Sequence, residues 1–187
     1  MTGEEKFILD GRDLPFDYLD FWQFQYSNIY NLQEYIAEFL VAKALGINKP
    51  YNTDYWTLYD IPYCNKRIEV KQTSYYHPWN EGSKVSEQRT FDIAKANSSY
   101  ETVGGENRFE RQNDIYVFCL LNGDTKESSY PLNLNNWEFY VVTTAFINEH
   151  CGDNKTVSLG RIRNFGFKAL RFDEIKAEVD SVIDSND

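Results

Sequence analysis

The stretch Lys66-Arg-Ile-Glu-Val-Lys-Gln-Thr73 places Glu69 and Lys71 two residues apart. In an extended strand side chains alternate, so Arg67, Glu69, Lys71 and Thr73 share one face, and Ile68, Val70 and Gln72 the other. Nine residues before Glu69 stands Asp60, at the end of the strand candidate 56–61, WTLYDI. The intervening PYCNK can turn the chain back, pair the two strands and bring a second carboxylate beside Glu69. Two carboxylates and one amine are the set that phosphodiester hydrolysis needs. Asp60 and Glu69 offer hard oxygens to Mg²⁺, and the Val70 carbonyl between Glu69 and Lys71 is an extra ligand candidate. Lys71 can orient or deprotonate a water and stabilise charge on the phosphoryl group. On a solvated hairpin the same Glu-Val-Lys would be only a charge pair, worth about 0.2–1 kcal/mol.

A further acid lies upstream. Residues 29–45, IYNLQEYIAEFLVAKAL, form an apolar run closed by Gly46 and Pro50, which reads as a helix. On its wheel Glu38 falls among Tyr35, Val41, Ala42 and Leu45, with Leu32, Ile36, Phe39 and Leu40 opposite. A carboxylate desolvated on nearly every side needs a partner: a metal-bound water, a base, or an arginine in a core salt bridge. Glu34, one turn earlier, is a weaker candidate.

The remaining elements frame these residues. Residues 1–28 read as an irregular aromatic and acidic arm leading into a helix. Strand candidates follow at 66–75, 88–94, 114–121 and 137–143. DIYVFCLL, 114–121, is almost continuously apolar, as a strand covered on both faces should be. Thr143 or Thr144 can cap a helix running to His150. SLGRIRNF and FDEIKAEVDSVID read as two later helices, and the tail 185–187 as frayed. The expected fold is one α/β domain, 1–187, with a mixed central β-sheet flanked by helices.

Composition narrows the classes. The aromatic share of 17% is high, and aromatics both fill cores and stack on bases. No run is long enough for a membrane span, and the acidic MTGEEKFILD is unlike a signal peptide, so the expectation is a soluble, cytoplasmic protein. Cys64, Cys119 and Cys151 lie far apart with only two histidines, which disfavours zinc spacing and a disulfide framework. The net charge of −10 runs against phosphate binding, but it is uneven: residues 60–111 hold eight acids against eight bases, residues 1–40 eight against two. A locally basic cleft in an acidic shell is therefore compatible with the sequence.

Several segments together resemble the PD-(D/E)XK, restriction-endonuclease-like family: AEFLVAKALGI, YD, RIEVKQTSYYHPW, RQNDIYVFCLL and PLNLNNWEFYVV, spanning about 16–172. The resemblance implies a restriction-endonuclease-like core and a Mg²⁺-dependent DNA endonuclease (Mn²⁺ able to substitute), acting in restriction or defence. It matches Asp60, Glu69 and Lys71 to the signature acids and lysine, and Glu38 to the helix glutamate. Gln72 stands where a small Ser is expected, and Tyr59 replaces the signature proline. As substrate-binding candidates we take Gln72, Tyr75 and Trp79, which follow the strand, and Arg111 and Gln112, which precede the buried one. Tyr75, Tyr76 and Trp79 can equally cover the sheet edge. A homodimer and a partner methyltransferase fit such a protein. The rival is a non-catalytic module on the same fold that binds nucleic acid or protein.

Overall fold

Seven consecutive apolar side chains make Ile115–Leu121 the centre of the molecule, because only a strand covered on both faces and paired on both edges can bury them all. The computed structural model describes residues 2–47, 59–77, 88–97 and 109–185. Within these, ten strands and five α-helices are numbered in chain order.

Strand β8 (Ile115–Leu121) lies between β4 (Lys66–Ser74), to which it is parallel, and the antiparallel β9 (Trp137–Thr143). The short β3 (Ile61–Tyr63) completes a mixed sheet of order β3-β4-β8-β9. One face packs on α2 (Gln33–Ala44) and α5 (Ile175–Asp184) through Ile68, Val70, Val117 and Phe139. The other, bearing Tyr116, Phe118 and Tyr140, is covered by α3 (Thr144–Cys151), α4 (Leu159–Asn164) and the ribbon β5 (Thr90–Asp92)–β10 (Thr156–Ser158). A two-stranded piece, β6 (Ala96–Asn97) with β7 (Phe109–Glu110), lies outside the main sheet. No helix among the described residues is long and apolar enough to cross a membrane. The mixed α/β architecture with helices on both faces is as the sequence reading expects.

Local chemistry accounts for the boundaries. Thr143 caps α3, its hydroxyl accepting the Phe146 N–H, and Ser158 caps α4 in the same way. Helix α2, preceded by a 3₁₀ turn at Ile29–Asn31, ends at Leu45 before Gly46, whose φ of +79° suits a residue without Cβ. The last segment is a 3₁₀ turn, Phe172–Glu174, that continues into α5.

Three expectations need correction. Within 1–28, the described residues 2–28 are not irregular: β1 (Lys6–Leu9) and β2 (Arg12–Asp17) form a hairpin, and α1 (Tyr18–Gln25) follows. Asp10 and Gly11, at φ +50° and +75°, make the two-residue turn that matches strand twist. Asp60 does not end a strand; it sits in a bend just before β3, while 56–58 and Trp79 lie outside the described residues. Finally, the strand expected at 88–94 shortens to Thr90–Asp92, because its partner β10 has only three residues to pair with it.

Candidate active site

The β3–β4 hairpin turns at Cys64 and Asn65, both at positive φ, and registers Ile61 opposite Ile68. Asp60 and Glu69 are thus the next positions along. The Asp60 Oδ2 accepts the Val70 N–H at 2.6 Å, and the Asp60 N–H donates to the Ile68 carbonyl at 3.0 Å. Its carboxylate is therefore clamped against β4 where the hairpin opens. Strand β3 pairs only with Lys66–Ile68, so β4 beyond them has no strand neighbour on that side among the described residues.

Glu69 and Lys71 share a face, as alternation requires, and the Lys71 Nζ lies 2.5 Å from Glu69 Oε1. Both are mostly buried. An ion pair in isolation would lower the carboxyl pKa, yet that of Glu69 is raised to about 7, because burial and then the Asp60 charge outweigh Lys71. Burial likewise raises Asp60, against the Val70 hydrogen bond and Lys71. Lys71 is depressed by burial but raised overall by Glu69 and Asp60, so it stays an ammonium.

Glu38 reaches the same place from α2. Its pKa is raised to about 7, first by burial, then by Asp60 and Glu34, against Lys71. Of its wheel neighbours Val41, Ala42 and Leu45 are buried, as the helical-wheel argument expects, while Tyr35 is exposed. Packing of α2 against the β3–β4 hairpin, through residues such as Ile61, Ile68 and Val70, completes the burial of Glu38. No ion pair of Glu38 with an arginine is found among the described residues. Three acids and one lysine, drawn from three elements, therefore crowd into one partly dry place.

Among the described residues no three His, Cys, Asp or Glu side chains form a ready-made metal group. The donors nevertheless suit Mg²⁺, which keeps several waters and takes few protein oxygens. One oxygen of Asp60 is used by Val70 and one of Glu69 by Lys71, leaving the other of each without a partner among the described residues. The Val70 N–H points to the open edge of β4, and the carbonyl of a strand residue points the same way as its N–H.

The flanking candidates fare differently. Gln72 is on the opposite face from Glu69 and donates to Gln33 Oε1 at 3.1 Å, tying β4 to α2. The Tyr75 ring lies under the Arg89 guanidinium, 4.9 Å from its centre. Arg111 is buried and engaged: it donates to the carbonyls of Ile93, Gly152 and Asn154 and to Asn148 Oδ1, at 2.6–3.1 Å. With four such bonds it fastens loops together, while also lining the cavity that opens beside Glu69 and Lys71. Gln112 is also buried, donating weakly to the Ala96 and Glu110 carbonyls.

Beside Glu69 and Lys71 opens a cavity of about 240 Å³, lined also by Asp92, Lys95, Arg111, Gln112 and Tyr116. Asp92, on β5, adds to the charge felt by Glu69. Sequence reasoning missed it, since β5 reaches the site by packing against β4, a contact that no local spacing signals. Comparison with family models, curated proteins and solved structures finds no match to this chain.

Proposed function

We propose that this chain is a metal-dependent nuclease that hydrolyses DNA phosphodiesters on a restriction-endonuclease-like core. The observation that carries the reading is the convergence of Asp60, Glu69 and Glu38 on Lys71 at the open edge of β4. A mixed sheet flanked by helices, with the acids on a hairpin and on the helix before it, is the framework such a core needs.

Asp60 and Glu69, with the Val70 carbonyl, would hold Mg²⁺ or Mn²⁺, which supplies Lewis-acid polarisation of the phosphate and an acidified water. The Lys71 ammonium, fixed by Glu69, stabilises the charge that develops on the phosphoryl oxygens. Glu38, beside Asp60 and without a hydrogen bond to it among the described residues, orients water at the rim of the site. The Asp60–Val70 bond keeps the hairpin carboxylate from rotating away, so less order has to be gained when substrate binds.

A non-catalytic module has no use for several mutually repelling acids in a partly dry cleft, since they disfavour the folded state. The test is incubation with plasmid, linear and branched DNA, with Mg²⁺, Mn²⁺ or EDTA. Cleavage that requires the divalent ion supports the proposal, and intact DNA throughout rejects it.

A further inference from the structure

The N-terminal unit is locally well specified. Its hairpin has a two-residue turn of matching twist, and Asp17 and Asp20 form a reciprocal capping box at the start of α1. Backbone bonds from Tyr18 to Glu5 and from Leu19 to Gly3 fold the helix back on the hairpin. Yet of residues 2–28 only Gly3 is buried. Phe7, Ile8, Leu9, Phe16, Leu19, Phe21 and Phe24 are exposed, Ile8 at 67% and Phe24 at 83%. A two-stranded hairpin is marginal in water unless something packs on it. So defined an element, with so apolar a surface, implies a cover.

The same chain carries an apolar groove of about 590 Å³ at the root of this arm, walled by Tyr26, Tyr35, Ile36, Phe39, Leu132 and Leu134. It lies on the outer side of α2, and several of its walls stand in solvent. Tyr26 follows α1, so the arm leaves the body at the groove's own rim.

We propose that the groove receives the arm of a second copy, so that two chains exchange arms in a two-fold dimer. Area favours this occupant. At about 200 Å² for each fully exposed side chain of this size, arm and groove together expose roughly 1,300 Å² of apolar surface per chain. Covering half of it on each of two chains buries about 1,300 Å², within the 1,200–2,000 Å² of stable interfaces. Exchange also satisfies both unpartnered surfaces with one contact, used twice, as a closed two-fold requires.

The test is light scattering of the full chain across concentration, with an arm variant, Phe24→Ser, and a groove variant, Phe39→Ser. Both positions are exposed, and circular dichroism checks that each variant folds. The wild type should be a dimer, and each variant should dimerise at least about tenfold more weakly, as for loss of an aromatic anchor. Mixing the two variants should give more heterodimer than either gives homodimer, because the intact arm of the groove variant meets the intact groove of the arm variant. A monomeric wild type at all concentrations overturns the proposal. So does a dimer indifferent to both substitutions, or a mixture that restores nothing, as expected if arm met arm or another partner used the groove.

Discussion

Asp60 is fastened to the strand that carries Glu69: its Oδ2 accepts the Val70 N–H at 2.6 Å, on the residue between Glu69 and Lys71. A carboxylate held this way cannot relax from its acidic neighbours, so the metal-free protein stores like-charge repulsion.

Asp60→Asn should relieve it. Its amide oxygen still accepts the Val70 N–H, so the metal-free melting temperature is expected to rise. In the wild type, Mg²⁺ at about 100 times its dissociation constant stabilises by roughly 2.7 kcal/mol. At about 2–4 °C per kcal/mol that is a shift of several degrees, and most of it should vanish in the variant. Thermal melts with EDTA, Mg²⁺ and Mn²⁺ decide; equal metal shifts in the two proteins would remove Asp60 from the site.

The same repulsion has a pH signature. Glu38 and Glu69 have folded-state pKa values of about 7 against an ordinary 4.5. The folded state binds more protons between these limits, so their contribution to stability is present below about 4.5 and lost as pH rises through 7. Each carboxyl contributes at most about 1.4 kcal/mol per pH unit. Urea midpoints without metal should increase from pH 8 to pH 5. Below that, Asp114, whose pKa is lowered by Arg67 against burial, loses its pairing and reverses the trend. A flat or falling midpoint from pH 8 to 5 would contradict the cluster.

Glu38→Gln keeps size and helix, so the fold should survive with equal or higher metal-free stability. Metal-dependent cleavage should fall roughly 10- to 100-fold, as for loss of an outer-shell partner. An unfolded variant would instead point to a structural role in the core.

Arg111, which lines the same cavity but is engaged by loop carbonyls and Asn148, supplies a contrast to the acids. Arg111→Met leaves three carbonyls and Asn148 without their donor, which should cost at least about 2 kcal/mol. The melting temperature should drop while the Mg²⁺-induced shift persists. A variant as stable as wild type would show that these bonds do not hold the loops.

What the sequence discloses depends on how local the cause is. Strand 115–121 is legible because an unbroken apolar run forces burial, strand 137–143 because aromatic and β-branched residues dominate it, and Glu69 and Lys71 share a face through the two-residue period alone. The Thr143 cap is equally local. The hairpin at Lys6–Asp17 is hidden because its aromatic residues are exposed and show no alternation; only the Asp10-Gly11 pair signals the turn. Arg111 is illegible for another reason: its acceptors lie 18 to 43 residues away and are mostly backbone carbonyls, which carry no side-chain pattern. Glu38 is a mixed case: its buried helix neighbours Val41, Ala42 and Leu45 are legible from the wheel, while its nearness to Asp60 comes from packing that no local spacing signals.

The central claim is tested most directly by cleavage of plasmid DNA in Mg²⁺ and Mn²⁺ by wild type, Glu69→Ala and Lys71→Ala, each shown to be folded. Wild type should cut only with the divalent ion, and each variant should cut at least about a hundredfold more slowly, the scale of losing one electrostatic or acid–base group. Wild-type rates in either purified variant would contradict the account.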